Sequence, residues 1–241
     1  MLGYRDQALA RAQENRSLAQ TLSHPFSLGF ALGHGTWVHQ NRGEVQAAEE
    51  STEALIALAN EHGFPHWLAW GTILHGCVLA EKEQVEGIAQ IRQGLDHRAP
   101  GDDLERPYFL SLRAEAYGRM GQMQEGLEVL AEALNVADKT GERYYEAELY
   151  RLKGELLRQK AKTEAEAEGC FRQAMDIARR QSAKSLELRA AMNLCCLWQR
   201  QGNKIEARRL LAEIYGWFTE GFETFDLKAA KGLLEELTVE S

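Results

Sequence analysis

The segment GQMQEGLEVLAEA, residues 121–133, decides the fold, because GNKIEARRLLAEI, residues 202–214, repeats its pattern. Each segment begins with a glycine, has a small residue five positions later, and has apolar or small residues nine and twelve positions after the glycine. On a helix these offsets form one stripe, where a small side chain lets a neighbouring backbone approach closely. The pattern therefore predicts the second helix of a packed helix pair.

The same pattern recurs along the chain every 39 to 41 residues. The turn residues that begin the units are Gly3, Gly43, Lys82, Gly121, Lys162 and Gly202. The small residues five positions later are Ala8, Ala48, Gly87, Gly126, Ala167 and Ala207. A fixed period of this length indicates an array of stacked supersecondary units. The predicted fold class is all-α, an α-α superhelix or solenoid of antiparallel helix hairpins with about 40 residues per repeat.

Turn signals with the same period set the predicted boundaries. Glycine favours the left-handed end of a helix, and proline fits the first turn of the next one, as at Pro25 and Pro65. Residues 1–241 are predicted to form one repeat domain, with a lone second helix over 1–22, hairpins over 26–62, 65–98, 104–139, 142–181 and 184–217, and a capping helix over 226–238. Asp226 is the predicted N-cap of that last helix. Because the first helix lacks a partner, we expect the chain to be the C-terminal part of a larger protein.

Composition excludes several classes of partner. The formal net charge is −8 and the pI is about 5.5, whereas a nucleic-acid-binding protein normally carries a basic face. No apolar run of about 18 residues occurs, so no membrane span is predicted. The four cysteines include no CxxC pair, which fits a reducing cytoplasm. The acidic surface predicts a monomer or a weak homo-oligomer.

No constellation of residues predicts catalysis, a metal or a cofactor. All seven histidines lie in the first 97 residues, but Gly63-Phe64-Pro65 breaks the helix that would align His62 with His66. Cys195 falls at a packing position in mid-helix, which predicts a buried thiol rather than a nucleophile. No phosphate-binding glycine loop is present. The predicted function is therefore binding.

A stacked helix array binds along a concave face built from its first helices. The first-helix positions that face inward predict a groove that is aromatic at one end and charged at the other. Its predicted contact residues are Phe30, Trp37, Tyr108, Glu115, Arg119, Glu148, Arg151, Glu155, Arg158, Arg189 and Gln199. Aromatic and arginine side chains are common interface anchors, so we expect a peptide with acidic and apolar side chains. Two other interpretations stay open: Trp37 is a core residue, and Arg151 with Glu155 is an intrahelical pair.

Four stretches carry a resemblance to known proteins. They are RPYFLSL (106–112), GERYYEAELYRLKGELL (141–157), AMDIARRQSAKSLELRAAMNLCCLWQRQG (174–202) and IYGWFTEGF (214–222). With the repeat pattern, they resemble tetratricopeptide (TPR) repeats, in particular the C-terminal TPR region of bacterial signalling proteins with an adenylate or guanylate cyclase domain and a STAND or AAA-type ATPase.

The resemblance implies a regulatory or sensory arm in bacterial signal transduction, acting as a scaffold that binds a protein or peptide segment, including one from its own cyclase or ATPase parent. It implies no activity, because neither the cyclase nor the ATPase part is present. Two alternatives stay open. One is a helical arm that senses a small ligand, favoured by an enclosed pocket near Trp37, Trp67 and Trp70. The other is a self-associating scaffold.

Overall fold

The structure is a computed structural model that describes residues 1–98, 103–160 and 163–238. Within these residues it contains helices and turns and no strand, which confirms the all-α class. The predicted turn residues Gly101 and Lys162 lie outside the described part of the chain. The helices are α1 (Arg5–Thr21), α2 (Pro25–Arg42), α3 (Val45–His62), α4 (Pro65–Glu81), α5 (Glu86–Asp96), α6 (Arg106–Arg119), α7 (Met123–Thr140), α8 (Glu146–Gln159), α9 (Glu164–Arg180), α10 (Lys184–Arg200), α11 (Lys204–Tyr215) and α12 (Phe225–Glu236).

The chain forms two compact units. The N-terminal unit is Arg5–Gln122 and contains α1 to α6. The C-terminal unit contains Met1–Tyr4 and the described residues from Met123 onward, with α7 to α12. Inside each unit, consecutive helices pack against each other, and so do the first helices of successive pairs: α2 with α4, α4 with α6, and α8 with α10. The last helix, α12, packs on both α10 and α11, as the first helix of a further repeat would.

Glycine and proline punctuate the helices as the sequence predicts. Pro25 and Pro65 lie in the first turns of α2 and α4, and Gly43 and Gly63 end α2 and α3 with positive φ angles of 76° and 66°. At the third predicted turn, the turn residue Lys82 has φ −87°, and the left-handed residue is its neighbour Glu83, with φ 59°. This turn therefore uses a strained non-glycine residue one position later than the pattern predicts.

The predicted seam lies in the cores of both units. Five of the six small residues of the pattern are buried, and so are the apolar residues that follow them, such as Ile91, Leu130 and Leu211. The exception is Ala8, which is exposed because α1 buries only Arg5 and Ala19. The core of the C-terminal unit continues into α12 through Leu227, Ala230 and Leu233.

The predicted N-cap of α12 is wrong. The helix begins at Phe225 with Thr224 as its N-cap, and Asp226 lies inside the first turn. The Asp226 carboxylate accepts a hydrogen bond from Arg189 on α10 at 2.7 Å, so it serves an interhelical ion pair instead of the cap. A short-range pattern cannot distinguish these two uses of an aspartate near a helix start.

Close backbone contact within the hairpin of α4 and α5 gives a test of the fold. A Cβ atom added at Gly87 would lie 2.6 Å from the Gly76 carbonyl oxygen, whereas one added at Gly169, exposed on α9, would contact nothing. We expect Gly87→Ala to lower the free energy of unfolding by about 1–3 kcal/mol. Gly169→Ala should raise it by a few tenths to about 1 kcal/mol, because alanine is the better helix former. Urea unfolding followed by circular dichroism measures both, and equal effects would contradict the packing described.

Candidate binding surface on the first helices

In the N-terminal unit, aromatic side chains form a cluster on α2 and α4, the first helices of two successive pairs. Phe26 and Phe30, one helical turn apart on α2, are each 49% exposed. Their rings contact the buried Trp67 of α4, with centroids 5.5 Å and 6.2 Å away, and Phe26 also contacts Phe64 at 5.5 Å. Trp67 stacks on Trp70 at 5.2 Å. Two half-exposed rings are thus fixed on a buried aromatic layer.

A glycine makes this arrangement possible. A Cβ atom at Gly29 would lie 2.7 Å from Cδ1 of Trp67, so the indole occupies the space that a larger residue on α2 would fill. Trp67 and Trp70 are only 2% and 4% exposed. The region of these two tryptophans is therefore filled by packed rings. The sequence prediction included Phe30 but missed Phe26, whose four-residue spacing from Phe30 was the available signal.

His34 belongs to the same cluster. Its ring stacks on Phe30 with centroids 4.0 Å apart and meets Trp70 edge-on at 5.0 Å, and its Nδ1 is 3.0 Å from the Phe30 carbonyl oxygen. Burial lowers the pKa of His34 below its ordinary value, and the hydrogen bond to the carbonyl of Phe30 offsets only part of this effect. The imidazole is consequently neutral at neutral pH.

The remaining predicted residues of the N-terminal unit have packing or surface roles. Tyr108 is buried, lies 5.5 Å from the half-buried Trp37 ring, and has its hydroxyl 3.3 Å from Oε1 of Gln40. Tyr108 therefore supports the first helices from within. Glu115 and Arg119 form an i,i+4 pair at 3.0 Å on the surface of α6.

The charged residues predicted for the other end come together in the C-terminal unit, where they bind one another. The Glu148 carboxylate of α8 is 2.9 Å from Arg151 on the same helix and 3.3 Å from Arg189 on α10. Arg189 continues to Asp226 of α12 at 2.7 Å. We call Glu148, Arg151, Arg189 and Asp226 the ionic chain, since it links three successive first-helix positions.

The periphery of the ionic chain includes further predicted residues. Arg151 also binds Glu155 at 2.7 Å and the side-chain oxygen of Asn193 at 3.1 Å. Arg158 lies 3.5 Å from Glu155. The intrahelical pair of Arg151 and Glu155 is thus present within a larger network. Gln199 is half-buried on α10.

Electrostatics keep the buried acid of the ionic chain charged. Burial by itself would raise the pKa of Glu148, but the charges of Arg151 and Arg189 and the hydrogen bond from Arg151 outweigh it, so the pKa lies below its ordinary value. Burial likewise opposes the charge of Arg189, yet Asp226 and Glu148 hold its pKa well above the ordinary value. Because the folded-state pKa of Glu148 is depressed, its stabilising contribution is present above the ordinary glutamate value and is lost as the pH falls through the folded-state value.

Cys195, His62 and His66 make packing contacts or hydrogen bonds within the folded chain. Cys195 is buried, its thiol donates to the Ala207 carbonyl oxygen at 3.2 Å, and burial raises its pKa to about 12. A thiol with such a pKa is a poor nucleophile at neutral pH. Across residues 1–98, 103–160 and 163–238, no group of three or more His, Cys, Asp or Glu side chains is placed to hold a metal ion. His62 and His66 contact Phe64 and Trp67 instead.

Comparison with known proteins agrees with the helix pairs. Residues 108–179 match the tetratricopeptide repeat. The matched segment begins in α6 and ends in α9. With the all-α architecture, this match gives the chain the fold of a TPR-like helical solenoid, a type of scaffold that generally mediates contacts between proteins. A search of curated proteins found no match. In the described part of the chain, no helix is long and apolar enough to cross a membrane.

The ionic chain predicts a large effect of one substitution. Arg189→Ala leaves the buried carboxylates of Glu148 and Asp226 without this partner, so we expect the free energy of unfolding to fall by about 3–5 kcal/mol. Arg119→Ala, which breaks the exposed pair with Glu115, is the matched control and should cost about 0–1 kcal/mol. Urea unfolding of both variants compares them. Adding Glu148→Gln to Arg189→Ala should restore part of the lost stability. If Arg189→Ala and Arg119→Ala have equally small effects, the ionic chain does not stabilise the core.

His34 predicts a pH dependence of stability. Its pKa is lower in the folded chain than the roughly 6.5 of an unfolded one, so the unfolded state binds the proton more tightly. Stability should therefore fall as the pH decreases from about 7.5 through 6.5 towards the folded-state value. We expect His34→Gln to show a smaller fall over this window than the wild type. Titration of the imidazole by NMR should give the low pKa directly, and parallel stability profiles of the two proteins would refute this role of His34.

Proposed function

We propose that this chain is a non-catalytic protein-interaction module that binds a peptide or protein segment on the surface of its first helices. The observation that carries the proposal is the pair of half-exposed rings, Phe26 and Phe30, on a first helix of a TPR-like array. Large aromatic side chains fixed at a surface are typical anchors of protein interfaces. The tetratricopeptide match supports the proposal because stacked helix arrays bind partners on this face.

The predicted contact residues take different parts in the proposed surface. The more accessible ones are available to touch a partner directly. These are Phe30, Trp37, Glu115, Arg119, Glu155, Arg158, Arg189 and Gln199. Tyr108, Glu148 and Arg151 are buried and would act by holding the first helices in place. This division favours an aromatic anchor point in the N-terminal unit and a stiff, internally paired surface in the C-terminal unit.

The wider context of the proposal comes from the resemblance of the sequence. We propose that the array serves as the regulatory arm of a cytoplasmic bacterial signalling protein of the cyclase or STAND ATPase type, and that its partner segment comes from that protein or from another one. A regulatory arm of this kind acts by binding and by a change of population between bound and free states. The internally paired charges of α8, α10 and α12 support such a role, because they keep the binding face in one arrangement.

A capture experiment with mapping tests the proposed function. The chain is used as bait in a bacterial lysate, and captured proteins are identified and purified. Hydrogen exchange of the complex then maps protected amides, which we expect on α2, α4 and α6 or on α8 and α10. Phe30→Ser should weaken capture about tenfold or more, since an aromatic anchor is lost. Ile205→Ser, which removes an equally apolar exposed side chain from a second helix, should not. Protection confined to second helices would contradict the proposal.

A further inference from the structure

Two first helices of the N-terminal unit, α2 and α4, carry no fixed charge before their last residues, Arg42 and Glu81. Residues 25–41 of α2 and 65–80 of α4 contain no Asp, Glu, Lys or Arg, and residues 17–24, which lead into α2, contain none either. The ionisable side chains of these two helical stretches are histidines and the buried thiol of Cys77. Of the histidines, His34 and His66 contact the aromatic cluster. The nearest acid before α4 is Glu61, three residues before Phe64 and exposed at the end of α3.

The first helices of the C-terminal unit, in contrast, carry fixed charges that are already paired. On α8 and α10 the predicted contact residues Glu148, Arg151, Glu155 and Arg189 all form ion pairs inside the unit. A binding protein that used one of these charges would have to displace the side chain that already pairs with it. Such exchange yields little net energy, because breaking a buried pair leaves a charge uncompensated. An acidic or basic ligand therefore gains little there.

The uncharged stretch of α2 carries two exposed aromatic side chains, Phe26 and Phe30. We define the aromatic ledge as Phe26, Phe30, Phe64 and Trp67. Trp67 is buried beneath the two half-exposed rings of α2, so the ledge is held in place by its own aromatic contacts. A surface that is ordered before binding loses little conformational entropy when a partner covers it. The neighbouring side chains Leu18 and Leu22 are 58% and 64% exposed and add apolar area close by in the chain.

We propose that the aromatic ledge binds an apolar, uncharged segment of a partner protein and discriminates against acidic and basic segments. This inference rests on the proposed function and names the chemistry of its ligand. Apolar side chains gain by leaving water against the rings of Phe26 and Phe30. A carboxylate or ammonium group covered at the same place would lose its hydration and find no opposite charge on residues 25–41 of α2 or 65–80 of α4. The electrostatics of the ledge thus match a neutral ligand and reject a charged one.

Selection from random peptides tests the proposal without a known partner. Phage-displayed 16-residue random peptides are depleted on the double variant Phe26→Ser/Phe30→Ser and then selected on the wild-type chain at about pH 7.5, where His34 is neutral. We expect enrichment of peptides with large apolar residues and no excess of Asp, Glu, Lys or Arg. Circular dichroism of the double variant checks that it is folded, which its half-exposed positions favour.

Synthetic copies of the enriched peptides give the quantitative test by intrinsic tryptophan fluorescence and calorimetry. Phe26→Ser and Phe30→Ser should each weaken binding about tenfold, and Phe30→Leu less. Ile205→Ser should leave it unchanged. The affinity should vary less than about twofold between about 50 mM and 500 mM NaCl, because no ion pair forms on binding.

Three other outcomes would overturn the proposal. If the peptides that the double variant retains in the depletion step are acidic or basic and lose binding in Arg158→Ala, while none is enriched on the wild-type chain afterwards, the proposed binding function stands and the placement on the ledge is wrong. If no peptide is enriched although the lysate experiment captures a partner, the ledge is not the binding element. If the wild-type chain associates with itself and Phe30→Ser abolishes the association, the occupant is a second copy and not a partner protein.

Discussion

Close approach of the two helix backbones in the hairpins α4–α5, α8–α9 and α10–α11 is the constraint on which the packing of both units depends. In each of these hairpins, the small residue that follows the turn has its carbonyl oxygen close to a small residue on the first helix. Gly87 meets Gly76 in this way, Ala167 meets Gly154, and the Ala207 carbonyl accepts the Cys195 thiol. Because interiors are packed as densely as organic crystals, a larger side chain at these points would separate the helices. In these hairpins the contact therefore sets the distance between the first and the second helix.

The two units use this common scaffold for different surfaces. In the N-terminal unit, glycine on α2 admits the Trp67 indole, which in turn carries Phe26 and Phe30 at the surface. In the C-terminal unit, the same layer of first helices is joined by the ionic chain, which ties α12 to α8 through Arg189. Aromatic packing leaves apolar area for a partner, whereas ion pairing uses up the charges that it brings together. This difference is why the proposed binding depends on apolar chemistry although the chain is rich in charged residues.

The ionic chain also shows why it is difficult to decide from the sequence whether a charged residue binds a partner or pairs within the fold. Arg151 and Arg189 lie at first-helix positions that face inward in repeat arrays, and a binding role is a natural prediction for them. Arg151 binds Glu148, three residues away, and Asn193, 42 residues away. Arg189 binds Asp226 and Glu148, which are 37 and 41 residues away along the chain. Such a set converges only when α8, α10 and α12 are stacked. The same argument applies to Asp226, whose local context indicates an N-cap and whose structural partner is an arginine on another helix.

The sequence by itself determined the helical class, the 40-residue spacing and the residues of the packing seam, because these depend on local offsets and on side-chain size. It also determined the aromatic character of α2 and α4 and the absence of Asp, Glu, Lys and Arg from residues 25–41 and 65–80. Tertiary structure decided which of these side chains face each other: the support of Phe26 and Phe30 by Trp67, the burial of Tyr108, the pairing of Glu148 with Arg189, and the left-handed Glu83 in place of Lys82. The physical reason is that side-chain periodicity fixes the face of a helix, whereas the partner of that face is set by how neighbouring helices stack.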